Sequence, residues 1–299
     1  MADRTLTRCR ATQDTSCIPE IFQARRGNRL SRSAIVTLTT DFGLNDHFVG
    51  AMKGVILEIA PEAQIVDISH AVQPFDILDG ALTISQAYSY YPSGTVHMVI
   101  VDPGVGTARR PLIMTSDRHL FVAPDNGVLS LVCDREERIS VRHVTAEHYF
   151  LQPRSNTFHA RDIFSPVAAY LAKGVAADRF GEEIADYVRF GAPRPKPVDE
   201  HTLRGVVLKV DRFGNLITNI TPQDAPQLFE ATPPPFKIAI GTKAQATRMC
   251  ASYAEGAPGE VFGLLGSMGF LEVASNRGSA YQLMGAGKGS EVNVAMEGQ

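Results

Sequence analysis

The chain contains no tryptophan, only four cysteines in 299 residues, and no apolar run approaching the roughly 18 residues of a membrane-spanning helix. Cys9, Cys17, Cys133 and Cys250 are scattered without a C-x-x-C spacing. That excludes a zinc ribbon and a disulfide framework, and it fits a reduced, cytoplasmic compartment. Neither sign of charge dominates: 29 Lys and Arg against 32 Asp and Glu leave a formal charge of −3. A nucleic-acid-binding surface would need a basic excess, so the expected partner is a small molecule, with no nucleic acid and no membrane. Hydrophobic residues at 44% and charged residues at 20% are ordinary globular usage, which sets aside collagen-like and disordered readings. The length suits two domains better than one.

Residues 1–33 differ from the rest. Seven Arg and no Lys stand there against Asp3, Asp14 and Glu20, and no apolar core of a secretory signal is present. This segment is expected to be a disordered extension, with a transit peptide or a misplaced start as alternatives, and it is given no part in chemistry.

From Ala34 the pattern alternates between strand and helix. Ile35–Thr40 is a β-branched strand; Val49, Met52, Ile56 and Ile59 then recur at helical spacing up to Pro61. Ile65–Ile68 is a second strand, and Ile77, Ala81, Ile84 and Tyr88 mark a second helical face. Thr95–Val101 reads as a strand buried on both faces, as in a parallel sheet. Strands at Leu112–Thr115 and His119–Ala123 follow, then a short helix through Cys133 and a helix from Asp162 to about Lys173, closed by Gly174. The fold class is α/β: an N-terminal α/β domain over 34–190 with a largely parallel sheet. Pro193, Pro195 and Pro197 mark a linker at 191–200. Over 201–299 the helical periods vanish. Short strands at Val206–Val210, Leu216–Ile220, Phe236–Ile240, Val261–Leu265, Gly269–Ala274 and Glu291–Ala295 predict a smaller all-β barrel or sandwich.

Ligands of open parallel sheets bind outside the carboxyl ends of the strands. Asp41, Asp67 and Asp102 each sit at such an end, so at least one is expected to be functional, although a single strand-end Asp commonly caps a turn. Asp102-Pro103-Gly104-Val105-Gly106-Thr107-Ala108-Arg109 is neither a dinucleotide fingerprint nor a Walker loop. It is a tight loop offering a carboxylate and a guanidinium to each other, either as chemistry or as a structural ion pair. His159, in Thr157-Phe158-His159, is functional only if it meets that pair, and Asp162 is a candidate N-cap. Asp67-Ile68-Ser69-His70 with Asp41 and Asp46 permits a metal reading but has no diagnostic spacing. Asp211-Arg212-Phe213-Gly214-Asn215 is either a hairpin turn or a loop whose ring, amide and carboxylate grip a purine. Gly266-Ser267-Met268-Gly269-Phe270 is either a turn or a source of backbone donors for an anion.

Thr40-Asp41-Phe42-Gly43, Asp67-Ile68-Ser69-His70, Asp102-Pro103-Gly104-Val105-Gly106-Thr107, Ala123-Pro124-Asp125-Asn126-Gly127, Thr157-Phe158-His159 and Phe213-Gly214-Asn215-Leu216-Ile217-Thr218-Asn219 together resemble the S-adenosyl-L-methionine (SAM) hydroxide adenosyltransferases. These adenosine-forming SAM hydrolases are related to the fluorinase and the chlorinase. The resemblance runs from about Ile35 to about Val294. It implies an N-terminal α/β and a C-terminal β domain, a homotrimer with sites between subunits, and SAM as substrate with no cofactor and no metal. It implies that Asp102, Arg109 and His159 activate water, that Asp41 binds the ribose diol, and that Asp46 and Asp211 lie near the methionine ammonium. Asn215 would read adenine, Ser267 would meet the methionine carboxylate, and Asn276 would offer backbone to adenine. Phe158 and Tyr253 would be aromatic walls, and Phe75 a further substrate-binding residue.

The halogenases resemble the chain less. They carry Tyr at the place of Asp102 and Ser at the place of Ala160, and the fluorinase has Trp for Phe75 and an insertion after the Arg109–Arg110 stretch. An anionic Asp102 repels a halide and suits water. The expected reaction is hydrolysis of SAM to adenosine and L-methionine, and the sequence leaves open whether Asp102 or His159 takes the water proton. Two other classes stand beside it: a metal-dependent hydrolase using Asp41, Asp67, His70 and Asp102, and a non-catalytic SAM or adenosine sensor.

Overall fold

The computed structural model describes residues 34–296. The Arg-rich segment, with the expectation attached to it, lies outside the described residues. The N-terminal sheet contains β1 (Ile35–Thr40), β2 (Gln64–Ser69), β3 (Val96–Ile100), β4 (Pro111–Ser116), β5 (Leu120–Pro124) and β6 (Ile139–His143), in the order β2-β1-β3-β5-β4-β6. Pairings β1/β2, β1/β3 and β3/β5 are parallel, while β4 is antiparallel to β5 and to β6. The sheet is therefore largely parallel, with β4 reversed. Every residue of β3 is buried, as its continuous apolar run predicts for a central strand.

Helices cover both faces. On one face α1 (Phe48–Ile59) and α4 (Ser165–Ala172) bring Met52, Ile56, Val167 and Leu171 onto Val36, Leu38, Met98 and Ile100. On the other, α2 (Ile77–Ala87) and the short α3 (Ser130–Cys133) bring Ile84, Tyr88 and Val132 onto Val99, Val101 and Phe121. Asp76 caps α2 by accepting from the Asp79 N–H at 3.0 Å. The expected helix after His159 begins as a π turn, Ala160–Phe164, before α4. Asp162 is not its N-cap: it lies buried in the first turn, accepting from Arg161 Nε at 2.7 Å and the Ser155 N–H at 2.8 Å. Gly174 does take positive φ, at 88°, and its N–H reaches the Leu171 carbonyl.

The second sheet is antiparallel and is built from β7 (Lys196–Pro197), β8 (Thr202–Val210), β9 (Leu216–Thr218), β10 (Phe236–Ile240), β11 (Gln245–Ala246), β12 (Phe262–Leu265), β13 (Leu271–Ala274) and β14 (Glu291–Met296). Its order is β11-β10-β14-β8-β9-β13-β12, with β7 on β8. The first half of β8 pairs with β14 and the second half, past an irregularity between Val207 and Lys209, with β9. Met249 meets Gly263 beside β12, so the sheet almost closes into a barrel around Val207, Leu216, Ile238, Leu271 and Val292. A short helix, α5 (Ala280–Met284), breaks the all-β expectation. Ser279 caps it and Gly285, at φ 63°, ends it.

The two sheets are joined at the start of α2. Lys209 Nζ lies 2.5 Å from Asp79 Oδ1, and Lys288 meets Asp76. No helix among the described residues is long and apolar enough to cross a membrane.

Behind β3, His97 and His119 form a buried pair. Thr37 Oγ1 is 2.7 Å from His97 Nδ1, and His97 Nε2 is 3.3 Å from His119 Nδ1. Burial, helped by the facing His119, pushes the His97 pKa down to about 3. Burial and the Arg118 charge lower that of His119 as well. A depressed pKa means that the unfolded chain binds more protons below about 6.5, so this stability is full above that value and drains as pH falls towards 3. Thermal melts should therefore fall steeply between pH 7 and about pH 4, and less steeply in His97→Gln. Equal slopes in the two proteins would contradict this.

Candidate active site

The site begins where β1 and β3 end side by side. Beyond β3 the chain makes two tight turns, with the Val105 N–H on the Asp102 carbonyl and the Thr107 N–H on the Gly104 carbonyl. Gly106 has φ 79°, and a Cβ there would stand 2.4 Å from the Asn156 carbonyl oxygen. Only glycine fits that close approach. The turns bring Arg109 back onto Asp102 as a fork: Nε lies 3.0 and 2.9 Å from Oδ1 and Oδ2, and Nη2 lies 2.5 Å from Oδ2. The same Nη2 reaches His159 Nδ1 at 2.9 Å. Phe164 backs the guanidinium, its ring centre 5.1 Å from Cζ.

Asp102, Arg109 and His159 thus form one hydrogen-bonded set from three separate places in the sequence. Burial, with the charges of Arg109 and Arg154, holds the His159 imidazole below its usual range despite Asp102 and Asp162. Because Nδ1 receives an arginine N–H, the neutral ring carries its proton on Nε2. A groove of about 320 Å³ reaches Arg109 and His159, with Thr107, Glu147 and Arg154 along its rim.

Asp41 follows β1. Burial pushes its carboxyl above the usual range, the Phe75 N–H at 2.8 Å works against this, and the charge of Asp102 adds to it. Phe75 itself has φ 66°, a costly conformation for a non-glycine residue, and its ring is 75% exposed. Phe158 is buried against Phe42, Phe48 and His47. Asp46 is exposed on the loop before α1 and has no side-chain partner among the described residues.

The acids of the metal reading have other partners. Asp67 accepts from Lys53 Nζ at 2.6 Å and lies 3.0 Å from His70 Nε2; burial works to raise its carboxyl, but the Lys53 ammonium and the His70 contact hold it below the usual range. His70 Nδ1 sits 2.8 Å from Thr40 Oγ1. Among the described residues, no three His, Cys, Asp or Glu side chains gather as a metal would require.

The remaining candidates line a cavity of about 990 Å³ on the barrel: Asp211, Asn215, Tyr253, Ser267 and Asn276, with Phe213 and Glu272. Asp211 Oδ1 accepts from the N–H groups of Phe213 and Asn215, and its Oδ2 accepts from Asn215 Nδ2. That orients the buried Asn215 amide. Asn276 Nδ2 donates to the Gly256 carbonyl, so its side chain is engaged within the protein. Glu272 was passed over in the sequence; the available signal is an acid in the apolar run Leu271–Ala274. The groove at Arg109 and the barrel cavity share no lining residue. One chain therefore carries two separate groups of candidate residues.

Known proteins divide the chain in the same way. The profile of the SAM hydroxide adenosyltransferase N-terminal domain matches residues 36–181, and that of the C-terminal domain matches 205–293. The (R)-S-adenosyl-L-methionine hydrolase of Thermus thermophilus is 37% identical over 266 residues, spanning 87% of this chain and 98% of the relative. A fluorinase of Nocardia brasiliensis is 28% identical over 284 residues, spanning 83% and 92%. The crystal structure of an uncharacterized conserved protein from Thermotoga maritima superposes with a TM-score of 0.80 at 35% identity, covering 87% of this chain and 99% of that one. On both family profiles and the near-complete span of the Thermus thermophilus relative, the chain belongs to the SAM hydroxide adenosyltransferase family.

Proposed function

We propose that the protein hydrolyses SAM to adenosine and L-methionine, with water displacing methionine at C5′. The Asp102–Arg109–His159 set carries this reading, because it supplies a base and donors for a water molecule, while the Asp102 carboxylate repels a halide. The sulfonium leaves as a neutral thioether, so the leaving group needs no acid. As the O–C5′ bond forms and the C5′–S bond breaks, the electron pair of the latter returns to sulfur. The water proton must then go to a base.

Asp102 is that base. His159 Nδ1 already receives an Arg109 N–H, and the ring's proton affinity is low, which leaves Nε2–H as a donor that aims the water oxygen. Arg109 occupies one side of the Asp102 carboxylate, and the remaining acceptor capacity takes the proton. Such base catalysis contributes about 10²–10⁴-fold, and in-line positioning contributes separately. The chemistry calls for no cofactor and no metal.

The working site is shared between subunits of a homotrimer. Support for this comes from the two groups of residues lying on separate cavities of one chain. Large apolar side chains are also exposed at both: Leu44 and Phe75 near the first, Phe213 and Tyr253 at the second. In this reading residues 34–190 supply the water-activating set and residues 201–299 supply the adenine and methionine contacts. The enzyme works in the cytoplasm.

Chelator-treated protein incubated with SAM should release adenosine and methionine in equal amounts. Asp102→Asn should slow this by about 10²–10⁴-fold. Unchanged SAM despite binding would favour a sensor, and activity that returns only with added metal would favour the metal hydrolase. Mixing inactive Asp102→Asn with inactive Asn215→Ala, then allowing subunits to exchange, should restore part of the rate. No recovery in demonstrably mixed oligomers would place the site within one chain.

A further inference from the structure

The turn Ala123-Pro124-Asp125-Asn126-Gly127 stands out in the sequence and has no part in the chemistry above. It ends β5, which lies between β3 and β4 and pairs with both. The loop Asp102–Arg109 connects those same two strands, so the turn faces both ends of it. Asn126 Nδ2 donates to the Val101 carbonyl at 2.8 Å, one residue before Asp102. The Asp125 N–H donates to the Arg110 carbonyl at 2.8 Å, one residue after Arg109. The buried Asp125 carboxylate accepts from Arg110 Nε at 2.8 Å through Oδ2 and from the Val188 N–H at 2.7 Å through Oδ1. Arg110 reaches further, its Nη1 lying 2.9 Å from Asp186 Oδ1.

We propose that Asp125 and Asn126 are positioning residues for the hydrolysis: they clamp both ends of the Asp102–Arg109 loop at the spacing that closes the fork. The assignment rests on the SAM reading above. The Val101 carbonyl and the Asp102 nitrogen belong to one planar peptide unit. A bond to that oxygen therefore sets the plane from which the Asp102 side chain departs. Arg110 is held through main chain and side chain at once, which limits how far Arg109 can swing. Inside the loop, the Val105 and Thr107 N–H groups close turns on Asp102 and Gly104, and neither bond reaches outside it. Because β3 and β4 are not neighbours in the sheet, the end of β5 sets how far apart the two ends of the loop sit.

A turn that served only itself would not need the Asn126 amide nitrogen. Asn126 Oδ1 already closes the turn by accepting from the Val128 N–H at 3.1 Å. Its Nδ2 points the other way, to the end of β3. The two functions of one side chain can therefore be separated. Asn126→Asp keeps an oxygen for Val128 and puts an acceptor, in place of the donor, against the Val101 carbonyl.

Rates would be expressed per SAM-binding site counted by calorimetry, so that unfolded protein does not enter them. In Asn126→Asp, kcat should fall about ten- to hundredfold through misplacement of the fork, while the KM for SAM stays within a factor of about two. In Asp102→Asn, which lacks the base, adding Asn126→Asp should change the residual rate by less than a factor of about two. Should Asn126→Asp fail to fold, Asp125→Asn serves in the same comparison; it keeps an acceptor for Val188 and weakens the hold on Arg110. An unchanged kcat, or an equal loss in the Asp102→Asn background, would overturn the proposal and leave the turn a feature of the fold alone. A KM that rises as kcat falls would overturn it too, by showing that the turn shapes the binding surface. Wild-type protein that does not hydrolyse SAM would sink the SAM reading along with it, whereas wild-type turnover that both variants retain sinks only the clamp.

Discussion

The Asp102–Arg109 fork is the contact on which the rest of this structure depends. It forms only because two turns, one of them through a left-handed glycine pressed against the Asn156 carbonyl, fold eight residues back on themselves. Both side chains are at least nine-tenths buried, and a buried charge without its partner is costly. Arg109 then does three things at once. It neutralises Asp102, fixes the His159 tautomer through Nδ1, and packs on Phe164 at the start of the helix that carries His159. The π turn over 160–164 lies next to this contact, in keeping with the use of π segments at functional sites.

Around that fork the architecture divides the work. The parallel strands end together and place Asp41 and Asp102 within electrostatic reach, while the barrel holds an amide and two carboxylates around a cavity large enough for a nucleoside with an amino-acid tail. The Lys209–Asp79 pair, whose lysine also lines the barrel cavity, and the contact of Lys288 with Asp76, next to Phe75, join the halves. Both groups of candidate residues are therefore built on rigid elements, which the proposed trimer would bring together.

Much of this was legible in the sequence, for physical reasons that differ from element to element. Ile35–Thr40 and Thr95–Val101 read correctly because burial on both faces selects continuous, largely β-branched runs, and Phe236–Ile240 because burial of one face selects an alternating pattern. The hairpin at Asp211–Asn215 read correctly because Asp and Gly have few other uses between two such runs. Ile139–His143 was missed: it is a half-buried edge strand with polar alternation and no strong turn on either side. Ala280–Met284 was missed because a five-residue helix is held by its Ser279 cap and Gly285 rather than by any period. Asp162 looked like a cap because Asp before an apolar run usually is one; here Arg161 and the Ser155 N–H claim it. The triad residues were visible as motifs, but that Arg109 and not Asp102 touches His159 is a tertiary fact. Glu272 stayed hidden because a single acid in an apolar strand has no motif.

The most direct test of the account is the origin of the oxygen in the product. Purified, chelator-treated protein would be incubated with SAM in ¹⁸O-labelled water, with and without chloride, and the nucleoside analysed by mass spectrometry. The account predicts adenosine carrying one solvent oxygen at C5′, with equal methionine and no effect of chloride. Unlabelled adenosine, a chlorinated nucleoside or intact SAM would contradict it.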